Sequence, residues 1–202
     1  MAFFDWQIAS EPDTAEGNMA ADAALLAALV EGRNSQPTLR VYEWDSPAVS
    51  IGRLQREEPV RRAYPSLPIV RRPTGGRAVL HGDDLTIAIA LPLDCLPLGA
   101  HTSVLASHRA LMGCVAAALR AVGLAVRYGP DACAGHAGSV RCFDTSAGCD
   151  LVDAATGRKL VGSAQRREGR ALLQQMSLPL DLLPGKERFL SGLRSELEKA
   201  FT

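Results

Sequence analysis

The run Arg71-Arg72-Pro73-Thr74-Gly75-Gly76-Arg77-Ala78-Val79-Leu80-His81 collects residue types that bind anions or polarised carbonyls. Glycine has no Cβ, so the backbone there can turn sharply and lie against a ligand. Exposed backbone N–H groups and guanidinium groups together cradle negative charge. The same residues also suit a Gly-Gly hairpin turn with solvated arginines. No G-x-x-x-x-G-K-[ST] pattern surrounds the glycines, so the run is not a Walker loop. Lys159 opens the apolar stretch Lys159-Leu160-Val161-Gly162-Ser163-Ala164. A lysine there is partly desolvated, yet cationic if it faces an acyl carbonyl or phosphate. A lysine on the solvent face of an edge strand would read the same way. Cys142 lies in Arg141-Cys142-Phe143-Asp144-x-Ser146. Only the thiolate is nucleophilic, and a nearby cation lowers a thiol pKa that starts at about 8.5. The competing reading of Cys142 is a small buried apolar residue, the commonest fate of a free cysteine.

These residues need a scaffold. Phe3 to Ile8 alternates loosely, as a strand does, and Glu16 to Glu31 places Met19, Ala23, Leu26 and Val30 at helical spacing. Leu39 to Trp44 and Ala48 to Ile51 read as strands around a turn at Asp45-Ser46-Pro47. Pro68 to Arg72 and Arg77 to Leu80 flank the Gly-Gly loop, and Leu85 to Leu91 is apolar enough for a strand buried on both faces. Thr102 to Val122 reads as an amphipathic helix, capped by Ser103 and stopped by Gly123. Leu124 to Tyr128 is a short strand. The irregular stretch Gly129 to Gly148 follows, and loops this long inside a compact domain are usually functional or disordered. Cys149 to Asp153 and Arg158 to Ala164 form a hairpin, Arg170 to Leu178 is a strand, and Lys186 to Phe201 is a closing helix. Helices and strands mix without regular βαβ alternation, so the fold class is α+β.

The chain has 202 residues, 47% of them hydrophobic, enough for one domain with a substantial core, or at most one domain plus a small appendage. Twenty-two basic and 22 acidic side chains balance, which gives no global reason to expect nucleic acid or an anionic membrane as partner. Arginine pairs at 61–62, 71–72 and 166–167 could dock an acidic protein, or be scattered solvated charge. No segment reads as a membrane span, and Met1 to Ser10 lacks the pattern of a signal peptide. Five cysteines (95, 114, 133, 142 and 149) without a C-x-x-C argue against a disulfide framework and a zinc site, and for a reducing cytoplasm.

Four stretches, in order, resemble the lipoate-protein ligase A superfamily, and they reach from about residue 16 to 180. Asn18-Met19-Ala20-x-Asp22-x-Ala24-Leu25 resembles its first helix. Leu39-Arg40-x-Tyr42-x-Trp44-x-x-Pro47-Ala48-Val49-Ser50-x-Gly52-x-x-Gln55 resembles the next two strands. The run 71–81 followed by Asp84-Leu85-Thr86 resembles its signature loop, and Gly157 to Gln165 the segment with its essential lysine. Arg141 to Ser146 is similar to the Cys-Phe-Asp-x-Pro-Ser motif of the cysteine-dependent octanoyltransferases, the branch that also carries an arginine at the place of Arg77. Thr145-Ser146 stands where that motif has its proline, and Gln175-Met176 where relatives often have His-Gly.

The resemblance implies a mixed sheet flanked by helices, like the catalytic domain of biotin ligases, over residues 1–202 with no C-terminal accessory domain. It implies that Cys142 forms an acyl-thioester and that Lys159 supports it as thiolate and holds the acyl group. It places substrate against Arg71, Arg72, Thr74, Gly75, Gly76, Arg77, Ala78, Val79, His81, Gly162, Ser163 and Ala164, with no metal site. The implied partners are octanoyl-acyl carrier protein and a lipoyl-accepting domain, of the glycine cleavage H protein or 2-oxoacid dehydrogenase E2 kind. Transfer of this type needs no cofactor. Its alternative in the family is a ligase that uses ATP and magnesium to make lipoyl-AMP, in some cases with a separate accessory subunit. A third reading is a non-catalytic acyl-binding protein. Cys133 and Cys149 fall on no motif position and read as structural.

Overall fold

The computed structural model describes residues 4–96, 103–130, 134–135, 139–146 and 148–201. In chain order its elements are β1 (Asp5–Ile8), α1 (Ala15–Val30), β2 (Thr38–Tyr42), β3 (Ala48–Ile51), α2 (Glu57–Ala63), β4 (Ile69–Arg71), β5 (Val79–His81) and β6 (Asp84–Pro92). There follow α3 (Val104–Ala121), β7 (Val126–Tyr128), β8 (Ala134–Gly135), β9 (Thr145–Ser146), β10 (Leu151–Asp153), β11 (Lys159–Glu168), β12 (Ala171–Pro179) and α4 (Lys186–Phe201). Among the described residues the strands make a seven-stranded sheet in the order β1-β2-β6-β12-β11-β10-β7, a three-stranded sheet β4-β3-β5 and the short pair β8-β9. β1 runs parallel to β2, while the pairs β2–β6, β6–β12, β12–β11, β11–β10 and β10–β7 are antiparallel. The fold is α+β, as the order of elements in the sequence predicts.

Successive side chains of a strand point to opposite faces. On β6, Leu85, Ile87, Ile89 and Leu91 pack with Leu111, Val115 and Leu119 of α3 and with Phe189, Leu193 and Leu197 of α4. The intervening Ala88 and Ala90 face Met19 and Leu26 of α1. Large residues therefore hold two helices on one face, and small ones let a single helix lie close on the other. By length and composition α3 could cross a bilayer, contrary to the sequence reading, but half of it is buried inside the fold. Ser103 caps it, with Oγ accepting from the Ala106 N–H at 3.1 Å, and the chain leaves it through Gly123 at φ +95°.

α1 departs from the expected apolar stripe. Ala23 and Val30 are exposed, and the buried face carries Asn18, Met19, Asp22 and Leu26. The reason is a buried cation. Arg40 on β2 donates to Asp22 Oδ1 (3.1 Å) and Asn18 Oδ1 (2.6 Å), and these bonds draw polar side chains inward. The short helix α2 was not expected. Its Arg61 and Arg62 pair with Glu57 and Glu58 one turn earlier, so this arginine pair is neutralised locally.

Candidate active site

The Gly-Gly loop joins β4 to β5 and is tied down by its own arginine. Buried Arg72 donates from Nη1 to Ser50 O (3.0 Å) and Ser50 Oγ (3.1 Å), and from Nη2 to Gly75 O (2.6 Å) and Arg77 O (2.7 Å). Burial pulls the Arg72 guanidinium down to about 10, against the opposing charge of Cys142, so it stays cationic at neutral pH. Gly76 sits at φ +89°, a left-handed conformation that favours glycine. Gly52 meets the same loop so closely that a Cβ there would fall 2.1 Å from Gly76 O.

The loop's exit strand positions the cysteine. The Ala78 N–H donates to Val140 O (2.9 Å), and the Cys142 N–H donates to Ala78 O (2.7 Å). These two backbone bonds staple the stretch 140–142 beside β5 and set Cys142 opposite β11. The Lys159 ammonium there donates to Cys142 Sγ at 3.2 Å, to Cys142 O at 3.2 Å and to Asp150 Oδ2 at 2.9 Å. Burial alone would push the lysine down. The charges of Cys142 and Asp150 outweigh it and hold the ammonium above its usual range. Gly162 leaves room for this arrangement, since a Cβ there would lie 3.2 Å from both Lys159 Cε and Phe143 Cε2.

His81 closes a second chain of contacts. Its Nδ1 lies 2.9 Å from Asp84 Oδ2 and its Nε2 2.8 Å from Ser50 Oγ, while Trp44 stacks on the ring at 3.8 Å. Burial would raise the Asp84 carboxyl, but bonds from His81, Ser177 and the Gly82 N–H hold it below the usual range. The carboxylate can only accept, so Nδ1–H donates to it and Nε2 faces the Ser50 hydroxyl, which also accepts from Arg72. His81 thus braces the loop from below. A third network runs from Thr74 Oγ1 to Gln175 Oε1 (2.6 Å), and from Gln175 Nε2 to Asp22 Oδ2 (2.6 Å), which also accepts from Tyr42 (2.7 Å).

Between these networks lies a slot of about 410 Å³ of empty space, its mouth included. Of the residues named from sequence, Arg72, Gly76, Val79, His81, Cys142, Gly162, Ser163 and Ala164 line it. Met19, Trp44 and Met176 give it apolar walls. Thr74 and Ala78 are buried outside it and act through their hydrogen bonds. Arg71 donates to the carbonyls of Gly52, Arg53 and Gln55, bracing a neighbouring turn. Gly75 lines a separate open cavity of about 910 Å³ with Arg53, Arg166 and Arg167. Arg77 lines neither, and its buried Nη1 has no hydrogen-bond partner among the described residues. Cys149 is half-buried and burial raises its thiol, whereas Cys133 lies outside the described residues. Sequence reasoning missed Asp150, Gln175 and Asp84. Only Asp84 and Gln175 had a signal, the first inside a quoted motif and the second as a departure from one.

Residues 14–198 match the model of the lipoyl protein ligase A/B catalytic domain. The chain is 37% identical to the octanoyltransferase LipM of Exiguobacterium sp. over 175 residues, covering 82% of this chain and 62% of that one. It is 38% identical to the octanoyltransferase LipM of Moorella thermoacetica over 182 residues, covering 86% and 63%. It therefore spans a little over six tenths of the length of these curated relatives. Among solved structures, protein Ta0514 of T. acidophilum with bound lipoic acid superposes with a TM-score of 0.73 at 19% identity, covering 96% of this chain and 84% of that one. A lipoate-protein ligase A bound with ATP gives 0.69 at 17% identity, covering 97% and 85%. At such identities the likeness is one of fold, and it agrees with the mixed sheet and its flanking helices. With 185 consecutive residues inside the family model, the chain belongs to the lipoyl protein ligase A/B catalytic domain family.

Proposed function

We propose that this protein transfers an octanoyl group from acyl carrier protein to Cys142, and from there to a lysine of a lipoyl-accepting domain, in protein lipoylation. The observation that carries the reading is the thiol of Cys142 held 3.2 Å from the buried ammonium of Lys159 at the wall of a largely apolar slot. A cation at that distance favours thiolate, the form that attacks a thioester. In the first half-reaction the Cys142 Sγ–carbon bond forms and the carrier's carbon–sulfur bond breaks, the carrier leaving as a thiolate. In the second, an acceptor amine attacks, the Cys142 thiolate leaves, and the amine's surplus proton passes to water. An eight-carbon chain gains about 0.8 kcal/mol for each CH₂ it buries, and Met19, Trp44, Val79 and Met176 offer that contact. The names of the LipM relatives point to the same activity. A thiol nucleophile of this kind suits a reducing cytoplasm.

Incubation with octanoyl-acyl carrier protein without ATP should add one octanoyl group, seen by intact mass and removed by hydroxylamine. Absence of that adduct, with ATP-dependent attachment of free octanoate or lipoate in its place, would establish the ligase reading. The observation that favours ligation is the cavity beside Gly75 and Gly76, where Arg53, Arg166 and Arg167 could take a triphosphate.

A further inference from the structure

A lysine ammonium has three donors and no acceptor. In this site Nζ donates to Asp150 Oδ2, to the carbonyl of Cys142 and to the sulfur of Cys142. The first two are fixed parts of the fold, and the third is the nucleophile itself. For making a thiolate, Asp150 is a disadvantage, because its charge competes with the sulfur for the same cation. The fold nevertheless buries it to 4% exposure, 2.9 Å from Nζ.

Its use becomes clear one step later, on the reading that Cys142 carries the acyl group. Acylation turns Sγ into an uncharged thioester sulfur. Lys159, itself only 6% exposed, then keeps Asp150 as its counter-ion. A buried lysine stripped of negative partners sheds its proton.

We propose that Asp150 is a positioning residue for the second half-reaction: it keeps the Lys159 ammonium in place in the acyl-enzyme, so that the N–H released by the sulfur turns to the acyl carbonyl oxygen. When the acceptor amine attacks, the carbonyl π pair moves to that oxygen and the ammonium stabilises it. When the intermediate collapses, the pair returns, the carbon–sulfur bond breaks, and the N–H goes back to the thiolate. The lysine keeps its proton throughout.

The test separates the half-reactions in the full chain by intact mass. Asp150→Asn keeps the size and an acceptor oxygen but removes the charge. Loading of Cys142 from octanoyl-acyl carrier protein should stay within about tenfold of wild type. Discharge to a lipoyl-accepting domain should fall by about 10²-fold, the scale of losing one donor to a developing oxyanion, and the thioester should accumulate. Asp150→Glu should recover part of the discharge rate, which a merely structural loss would not. Equal losses in both steps, or discharge at or above the wild-type rate, would overturn the proposal. A measurement on wild type guards against misfolding of the variants. The 13Cε signal of Lys159 should keep its ammonium position at pH 8 after octanoyl loading, and a shift to the amine position would refute the inference. A wild-type chain that takes up no octanoyl group would instead refute the acyl-enzyme reading.

Discussion

Lys159→Met offers the most quantitative test of how this site is held together. The substitution keeps an unbranched side chain of similar length and deletes one charge. It strands Asp150, buried to 4% exposure, without the ammonium 2.9 Å away. Removing one partner of a buried pair costs about 3–5 kcal/mol. A second route gives a similar figure. The stranded carboxylate can shed its charge by binding a proton, which for an ordinary aspartate costs about 4 kcal/mol at pH 7 and about 1.4 kcal/mol less for each pH unit of acidification. Urea unfolding of Lys159→Met should therefore show a loss near 4 kcal/mol at pH 7 that shrinks below about 2 kcal/mol at pH 5. The sign follows because the variant lacks the ammonium that in wild type lies 2.9 Å from this carboxylate, so protonation relieves the variant more. Adding Asp150→Leu should return most of the stability, since an apolar replacement for both partners is often neutral. It should not return octanoyl transfer, and iodoacetamide should alkylate Cys142 more slowly at pH 7 in both variants. A single variant that loses less than 1 kcal/mol at pH 7, or the same amount at both pH values, would refute this account of the site.

Cys142→Ala should abolish the octanoyl adduct and ATP-independent transfer, whereas Cys149→Ala should keep both; full transfer by Cys142→Ala would eliminate the thioester route. Gly162→Ala should slow transfer markedly with a stability change under about 1 kcal/mol, because its methyl presses 3.2 Å from Lys159 Cε at an ordinary φ; wild-type turnover would count against the tight fit of the lysine. Gly76→Val should cost stability as well as transfer, because it combines φ +89° with a Cβ 2.9 Å from Arg72 Nη2; an unchanged urea midpoint would refute that strain. Burial pushes the His108 imidazole down to about 4 from 6.5, with Asp150 opposing, so below pH 6.5 the unfolded chain binds a proton that the folded chain refuses. Between pH 7 and pH 5 this should remove about 2 kcal/mol of stability, and His108→Leu should flatten that loss; an identical pH dependence in the variant would clear His108.

Much of the frame was legible in the chain because periodicity reports burial. The run Leu85 to Leu91 announced a central strand, and the closing helix reached its expected bounds at Lys186 and Phe201. Cys142, Lys159 and the Gly-Gly loop stand in motifs read in local order, and the structure brings Cys142 to Lys159 and to the loop's exit strand. Asp150 was hidden because nothing adjacent in sequence says that its carboxylate turns toward the lysine nine positions later. α1 misled for a related reason. Its inward face is chosen by a partner on another strand, Arg40, so a hydrophobicity count favoured Ala23 and Val30 over Asn18 and Asp22. The division of the loop into cavity-lining and bracing residues was equally closed to sequence, because Arg71 and Arg72 are neighbours whose side chains serve different carbonyls.

The distances that these contacts span along the chain set an order of assembly. Cys142 and Lys159 are separated by 17 positions, but Arg72 reaches Ser50 across 22, Thr74 reaches Gln175 across 101, and Gln175 reaches Asp22 across 153. Closing long loops costs entropy before their contacts return anything, so such links form late. During synthesis the glycine loop and the cysteine both leave the ribosome before Gln175 does. β11 likewise waits for β12 to pair with it along Gly162 to Glu168. An unfinished chain therefore carries the Cys142 thiol beside an unbraced loop. On the proposed function, completion of the sheet would work as a safety catch, bringing the cysteine to its lysine only in a molecule whose slot is already formed.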